Sequence, residues 1–363
     1  MAPLTQRLPA ENFTPTHPQV FRRLVDDQLV RKLAGLTQLY GGERLDLFHE
    51  ALLEYVRRPG KRIRPLLFLQ ATELFQPAGS AHLLDDLVSV ATGLELLHAF
   101  VLIHDDLIDS SDLRRALPSL HRSLEDRSEG NQPVRTGSNL TIVFGDLLFA
   151  LAQKCIIDTR IPVRATLLSK LLEYVFDTGY GEIADILLGD NCISRVSVRE
   201  IKWMYHCKTA RYTFECPLVL AGIIAGLTEM ELRQLAAVAQ PAGLAFQIQN
   251  DLKEFVRGVQ NGVSDDLVEG KKTLLLRTAY DRLGPEDRMR LRNLSGQKSR
   301  TASELRHLQR LILKSGAVAE QEALVEALFQ QTFLAVESPM LAPEIQAGLH
   351  NLLQTIRRLI QAS

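Results

Sequence analysis

Residues 82–110 constrain the fold more than any other stretch, because they predict one long helix that is apolar on nearly every side. Between positions 86 and 104 the polar side chains are confined to Ser89, Thr92, Glu95 and His98. A helix without a polar face must be surrounded by other elements. The sequence therefore predicts a buried helix inside a large core.

Three carboxylates, Asp105, Asp106 and Asp109, stand at the end of this helix. Asp105 and Asp109 are one helical turn apart on one face, where like charges repel. A shared divalent cation such as Mg²⁺ would remove that penalty, because hard ions bind carboxylate oxygens. When the motif is taken alone, a solvated acidic patch is the better explanation.

A second acidic element lies far downstream, on the helix predicted over residues 227–256. Gln247, Asn250 or Asp251, and Glu254 share one face of that helix at intervals of three, four and seven residues. Two such elements on two helices favour a common metal-binding site over two unrelated surface patches.

Basic residues recur beside the acidic elements. Residues 57–64 carry five cations around Gly60, directly before a predicted helix. A helix start with free N–H groups and nearby cations suits a phosphate group. Taken alone, a basic surface turn is the better explanation of residues 57–64. The adjacent Arg114 and Arg115 are about equally well explained as surface charge, and Lys208 could be a surface charge too. Lys271 adds a further cation. Together with Leu, Ile, Val and Phe walls, they predict an apolar substrate with a diphosphate head.

The chain shows no β-type alternation, internal repeat or Pro/Gly/Ser linker. We therefore expect an all-α fold, with a loosely ordered arm over residues 1–20 and one helical domain over residues 21–363 in preference to two. A length of 363 residues suffices for one large core. The formal net charge of -1 argues against a nucleic-acid-binding surface.

Localisation is indicated by three further features. The four cysteines lack zinc-type spacing, which is typical of a reducing compartment. The first residues contain no apolar signal segment. No stretch reaches the ~18 uncharged apolar residues of a membrane span. We expect a cytoplasmic protein.

The motifs over roughly residues 55–275 resemble those of the trans-isoprenyl diphosphate synthases, the farnesyl and geranylgeranyl diphosphate synthase group. They comprise a GKRxRP element, DDxxD followed by Arg-Arg and Pro-x-x-His, Gly-Asp, Lys-Thr, FQxxxD and a GK-T loop. The resemblance implies a helical bundle around a central cavity, a homodimer and a head-to-tail prenyl transfer. It also implies Mg²⁺ as the cofactor, with three ions when diphosphate is bound.

The resemblance assigns a role to each matching residue. The metal ligands would be Asp105 and Asp109, assisted by Asp106, and the second motif Asn250, Asp251 and Glu254. Isopentenyl diphosphate would bind Gly60, Lys61, Arg64, His98 and Arg115. The allylic diphosphate would bind Arg114, Lys208, Thr209, Gln247 and Lys271. The catalytic group that ionises the allylic C–O bond would be Asp105, Asp109, Lys208 and Lys271.

Three positions depart from the family pattern. Asn250 is a neutral amide where the family has a carboxylate, which predicts weaker metal binding there. Glu182, in the sequence Gly181-Glu182-Ile183-Ala184-Asp185, adds an acid to the family's GQxxD. Gly262 stands near the place of a loop lysine that family members often carry.

Phe100 is the residue that we expect to limit the length of the prenyl product. It precedes Asp105 by five residues, or about 7.5 Å of helix rise, so its ring is placed to block a growing prenyl chain. An aromatic residue at this place with an uninserted DDxxD resembles some geranylgeranyl-forming members of the family, which implies a product near C20. Val101 is smaller than the second aromatic residue of many C15-forming relatives, and Leu97 would form the next barrier. Ordinary core packing is the alternative role of Phe100.

Two other functions are compatible with an all-α fold and a DDxxD motif. A class I terpene cyclase shares both features but needs no isopentenyl site, so Lys61, Arg64, His98 and Arg115 favour chain elongation. A low-activity subunit of a heteromeric synthase usually loses the aspartate motif, and the first one is intact here.

Overall fold

The computed structural model describes residues 18–75, 83–297 and 300–361. The chain forms two compact units that divide between Arg160 and Ile161. The single helical domain expected over residues 21–363 stays a prediction. Of the expected N-terminal arm, residues 1–17 lie outside the described part. Residues 18–20 belong to the first helix instead.

The first unit consists of six helices and one small hairpin. The helices are α1 (Pro18–Tyr40), α2 (Glu43–Arg57), α3 (Ile63–Phe75), α4 (Leu84–Ile108), α5 (Leu120–Asp126) and α6 (Pro133–Ile157). In the hairpin, β1 (Leu113–Arg114) pairs antiparallel with β2 (Leu117–Pro118). Helix α6 begins at Pro133, because proline has the backbone angle of a first helical turn.

Helix α4 lies at the centre of the first unit and packs against α1, α3 and α6. Leu94, Leu96 and Ile103 are completely or almost completely buried. A Cβ atom on Gly93 would lie 2.8 Å from the carbonyl oxygen of Ala152, so glycine at this position lets α6 approach closely. The predicted buried helix is confirmed, and its acidic end lies at the rim of this core.

The described residues of the second unit form helices joined by turns and loops, without a strand. Its α-helices are α7 (Arg164–Gly189), α8 (Val198–Tyr205), α9 (Cys216–Ala225), α10 (Glu229–Asn261), α11 (Asp265–Glu269), α12 (Leu274–Arg282), α13 (Pro285–Ser295), α14 (Ala302–Ser315), α15 (Ala317–Val336) and α16 (Pro343–Gln361). A 3₁₀ turn covers Ile193–Arg195. Helix α10 packs against α15 and against the segment that follows α8.

The segment His206–Glu215 is π-helical and lies between α8 and α9. Pro217 stands in the first turn of α9 and has no N–H group to continue the preceding α-helical ladder. π-Helical turns are frequent at functional sites, and this one carries Lys208 and Thr209.

The predicted all-α class is confirmed, since the hairpin is the sole strand pairing among the described residues. By length and composition alone, α4 and α6 are apolar enough to cross a membrane. Protein atoms bury 72% of the apolar window of α4 and 44% of that of α6. Core helices have the same composition, so these two helices are weak evidence for a membrane span.

Candidate functional site

Asp106 anchors two other elements at the acidic end of α4. The Tyr55 hydroxyl of α2 donates a hydrogen bond to Oδ2 of Asp106 at 2.8 Å, and Nε of Arg114 donates to Oδ1 at 2.5 Å. Burial raises the pKa of the Asp106 carboxyl, and burial together with the Asp106 charge raises the pKa of Tyr55. Asp106 therefore faces the interior, and its predicted assistance to a metal stays a prediction.

Asp105 and Asp109 occupy successive turns of the same helix end. The N–H of Asp109 donates to the carbonyl oxygen of Asp105 at 2.9 Å and completes the last turn. Nη2 of Arg114 lies 3.2 Å from Oδ2 of Asp105. Arg114 thus bridges Asp105 and Asp106, and these two carboxylates raise its pKa against the opposing effect of burial.

A basic pocket lies next to this acidic end within the first unit. Its lining includes the guanidinium groups of Arg58, Arg62, Arg114 and Arg115 together with His98. Burial lowers the pKa of His98 well below its ordinary value, and Arg64 and Arg115 lower it further. His98 is therefore neutral at physiological pH, which leaves the positive charge of the pocket to the arginines.

The basic turn of residues 57–64 is tied to the hairpin by Arg115. Nη1 of Arg115 donates to the carbonyl oxygens of Arg58 and Pro59 at 3.1 and 2.7 Å. A Cβ atom on Gly60 would lie 2.9 Å from both terminal nitrogens of Arg115, so glycine leaves room for the guanidinium group. Lys61 is half-buried on this turn and Arg64 is buried at the start of α3. The structure thus brings together Gly60, His98 and Arg115, which the sequence predicted to share a site.

Arg62 and Glu95 are structural residues that sequence reasoning missed. Nη1 of Arg62 lies 2.6 Å from Oε1 of Glu95, and both side chains are 5% exposed. Nε of Arg62 contacts Asp26 of α1 at 2.8 Å. Arg62 adopts a positive φ of 50°, so the turn is held in a conformation that residues other than glycine seldom take. The sequence feature that could have indicated this ion pair is Glu95, the one acid inside an otherwise apolar helical stretch.

In the second unit, Lys208 is held by two carboxylates of α7. Its Nζ lies 2.6 Å from Oδ2 of Asp185 and 2.8 Å from Oε2 of Glu182. Gly181 lies directly against the backbone of Lys208, where a Cβ atom would clash. Thr209 follows on the π-helical segment and is half-buried.

The second acidic motif centres on the buried Asp251. Nε2 of Gln247 donates to Oδ1 of Asp251 at 2.7 Å, and the Tyr205 hydroxyl donates to Oδ2. Burial raises the pKa of Asp251. It also raises the pKa of Asp266, where the Asp251 charge adds to the effect. Tyr205 and Asp266 were not predicted, since neither belongs to a recognisable spacing.

Glu254 braces a loop in this structure. Its carboxylate accepts hydrogen bonds from the Ser264 hydroxyl and the Asp265 N–H, each at 2.5 Å, just where α11 begins. Lys271 follows α11 and pairs with Glu269 at 2.9 Å. Asn250 is half-buried on α10. The metal-binding roles of Asn250, Asp251 and Glu254 stay predictions.

Within the ranges 18–75, 83–297 and 300–361, no three His, Cys, Asp or Glu side chains are grouped to hold a metal ion by themselves. Mg²⁺ commonly binds one or two carboxylates and completes its shell with water and substrate phosphates. Asp105 and Asp109, two carboxylates one turn apart at a helix end, have the donor chemistry for that mode.

The Phe100 ring packs within the first unit. Its centroid lies 4.8 Å from that of His104 and 5.1 Å from that of Phe149 on α6. Leu97, one turn before, is buried and Val101 is half-buried. The chain-length role of these three residues stays a prediction.

Comparison with known proteins shows the family. A family model described as polyprenyl synthetase matches residues 46–312. The geranylgeranyl pyrophosphate synthase of Capsicum annuum is 29% identical over 65% of this chain and 60% of its own length. The geranylgeranyl diphosphate synthase of Sulfolobus acidocaldarius is 25% identical over 77% of this chain and 81% of its own.

A solved structure agrees with these relatives. The geranylgeranyl pyrophosphate synthase of Corynebacterium glutamicum, complexed with isoprenyl diphosphate and magnesium, has a TM-score of 0.80 and 27% identity. The match covers 93% of this chain and 98% of that one. The chain belongs to the polyprenyl synthetase family, which confirms the family and the prenyltransferase class that the motifs predict.

Proposed function

We propose that this polyprenyl synthetase condenses isopentenyl diphosphate with an allylic diphosphate in a Mg²⁺-dependent reaction. The product is a trans-prenyl diphosphate, geranylgeranyl diphosphate at about C20 if Phe100 closes the tunnel five residues before Asp105. The relatives named above include geranylgeranyl diphosphate synthases, which supports this length.

One observation favours a chain-elongating enzyme over a terpene cyclase. The basic pocket of the first unit gathers Arg58, Arg115 and the neutral His98. This pocket provides cations for a diphosphate in addition to Lys208 and Lys271 of the second unit. An elongating enzyme needs sites for two diphosphates, whereas a cyclase needs one. The pocket therefore favours elongation over cyclisation.

The proposed mechanism uses charge stabilisation. Arg114, Lys208 and Lys271 would bind the allylic diphosphate and stabilise the negative charge that develops as the C–O bond ionises. Mg²⁺, when bound at Asp105 and Asp109, would supply further neutralisation of the leaving diphosphate. Arg115 and His98 would hold isopentenyl diphosphate while its double bond attacks the allylic cation. The departing diphosphate would accept the proton that is lost.

Exposed apolar residues support the proposal of a homodimer. On α6, Val134, Ile142, Val143 and Leu147 are exposed, and on α7, Phe176, Tyr180, Ile183 and Leu187 are exposed. On each of the two helices, taken by itself, four exposed apolar side chains are typical of a face that another chain covers. Light scattering on the purified chain would give the mass of a dimer, and a monomer mass would contradict this proposal.

The test of function is incubation with isopentenyl diphosphate, Mg²⁺ and allylic diphosphates of increasing length, with products identified by mass. Elongated prenyl diphosphates support the proposal. A cyclic hydrocarbon formed from an allylic diphosphate alone would show a terpene cyclase. No turnover in any combination would point to a partner subunit.

A matched pair of arginine variants locates the isopentenyl site. Arg115→Gln should raise the KM for isopentenyl diphosphate more than the KM for the allylic substrate. Arg122→Gln is the control, because Arg122 is half-buried and pairs with Asp112 and Glu125. Equal changes in both KM values for Arg115→Gln would contradict the assignment.

A further inference from the structure

Lys208 stands between two carboxylates that come from successive turns of α7. Asp185 lies 2.6 Å and Glu182 2.8 Å from its ammonium nitrogen. The side chains are 16% exposed for Lys208, 18% for Glu182 and 11% for Asp185. In this partly buried setting water screens the charges less than at an open surface, so the interactions are stronger than those of ordinary surface ion pairs.

The geometry of the backbone fixes this arrangement. Gly181 lies against the backbone of Lys208, so α7 and the π-helical segment approach without an intervening side chain. Arg211, one turn along the segment, pairs with Asp177 of α7. The two cations are thus held against α7 by acids spaced along one helix, and Lys208 has little freedom to turn away from Glu182.

The formal charges of this group do not cancel. One ammonium and two carboxylates give a net charge of -1, so Asp185 alone would already neutralise Lys208. Further negative charge lies close by, because the Asp185 charge contributes to the raised pKa of Asp251. Glu182 is the additional acid of the sequence motif, and the structure shows that its charge is directed at the lysine expected to bind the allylic diphosphate.

We propose that Glu182 is a specificity-determining residue that competes with the diphosphate of the allylic substrate for Lys208. A diphosphate that approaches Lys208 must displace the Glu182 carboxylate or bring divalent cations that neutralise it. Glu182 thereby weakens the binding of metal-free diphosphate and makes binding depend more steeply on Mg²⁺. This inference rests on the proposed function, because that function assigns the allylic diphosphate to Lys208.

The test uses calorimetric binding of inorganic pyrophosphate to the full chain across a range of Mg²⁺ concentrations. Glu182→Gln keeps the size of the side chain and leaves Asp185 to hold Lys208. This variant should bind pyrophosphate roughly tenfold more tightly than the natural protein at low Mg²⁺, and the difference should shrink as Mg²⁺ rises. Its KM for the allylic substrate should fall, while its KM for isopentenyl diphosphate stays unchanged.

Two further variants separate charge from packing. Glu182→Asp keeps the negative charge and should bind pyrophosphate like the natural protein. Glu173→Gln is the control on the same helix, because Glu173 is exposed and pairs with Lys170 at 2.6 Å. This control should leave pyrophosphate binding unchanged.

The proposal is overturned if Glu182→Gln binds pyrophosphate as weakly as the natural protein or more weakly. It is also overturned if Glu182→Asp tightens binding as much as Glu182→Gln does, since the effect would then come from packing. Pyrophosphate binding requires no turnover. The binding result therefore decides the role of Glu182 even if the condensation assay fails. If the natural protein forms prenyl products but Glu182→Gln binds pyrophosphate no more tightly, this inference is overturned and the proposed function stands.

Discussion

The hydroxyl group of Tyr205 joins the second acidic motif to the start of α12. It donates a hydrogen bond to Oδ2 of Asp251 and accepts one from the N–H of Leu274 at 2.9 Å. Leu274 comes directly after the loop that carries Lys271. One buried phenol thus fixes the position of a predicted metal ligand relative to a predicted diphosphate-binding loop.

We expect Tyr205→Phe to remove both hydrogen bonds of this hydroxyl group. The change leaves the Leu274 N–H without this acceptor, which should cost about 1–3 kcal/mol of unfolding free energy. It should also raise the Mg²⁺ concentration needed for half-maximal activity, because Asp251 loses its orienting donor. Denaturant unfolding and a Mg²⁺ titration measure the two effects, with Tyr40→Phe at an exposed position as the control. An unchanged Mg²⁺ requirement would limit Tyr205 to a structural role.

Asp105→Ala should lower turnover by at least about 100-fold while the fold persists, because electrostatic stabilisation is usually the largest catalytic contribution. Asp106 would still hold Arg114 and Tyr55, so the hairpin and α2 stay in place. Asp112→Ala is the matched control, since Asp112 is exposed and pairs with Arg122. Steady-state rates with saturating Mg²⁺ give the measurement. Near-natural turnover of Asp105→Ala would remove this residue from the catalytic group.

The sequence predicted those features that depend on spacing within one helix. Helix α4 was recognised from its apolar composition, and the shared face of Asp105 and Asp109 from their separation of four residues. The family pattern assigned Gly60 and Arg115 to the same substrate site, and the structure places them against each other. Helical periodicity tells which side chains share a face, and motif order tells which chemistry they serve.

The sequence did not predict which side chains meet across helices. Nothing in its spacing shows that Glu182 faces Lys208, or that Glu254 braces Ser264 in place of pointing into open space. Such pairs depend on the packing of two helices or of a helix and a loop. The hairpin at Leu113–Pro118 was missed for a different reason, since two-residue strands are too short to show alternation.

Arg62→Met should destabilise the protein by about 3–5 kcal/mol, because it leaves the buried Glu95 charge without its partner. Asp26 would lose the same partner, although it is 43% exposed and water compensates for most of that loss. Arg23→Met is the control, since the Arg23 side chain is 85% exposed. Denaturant unfolding compares the two variants. A loss below about 1 kcal/mol for Arg62→Met would show that Glu95 is satisfied without the arginine.

His98 should make the unfolding free energy depend on pH. Burial and the guanidinium groups of Arg64 and Arg115, with smaller effects from Arg62 and Arg114, hold its pKa well below the ordinary 6.5. As pH falls below 6.5, the unfolded chain takes up a proton on this residue and the folded protein does not. The unfolding free energy should therefore fall with decreasing pH, by up to about 1.4 kcal/mol per pH unit.

His98→Gln is the variant that tests this pH effect. Its unfolding free energy should fall less with decreasing pH than that of the natural protein. Unfolding curves recorded from pH 7.5 to 5 at constant ionic strength give the comparison. The pKa of His121 is also lowered by burial and by Arg122, so His121→Gln serves as a second histidine for comparison. An unaltered slope in His98→Gln together with a flattened slope in His121→Gln would assign the effect to His121.

Phe100→Ala should lengthen the prenyl product, because the ring that would stop the chain is removed. The ring packs between His104 and Phe149, so its loss opens space between α4 and α6. Leu97 is buried one turn before and would form the next barrier, so Leu97→Ala combined with Phe100→Ala should lengthen the product further. Phe100→Leu keeps part of the volume and should give an intermediate length. Mass analysis gives the product lengths of all three variants. An unchanged product distribution in Phe100→Ala would show that another residue closes the tunnel.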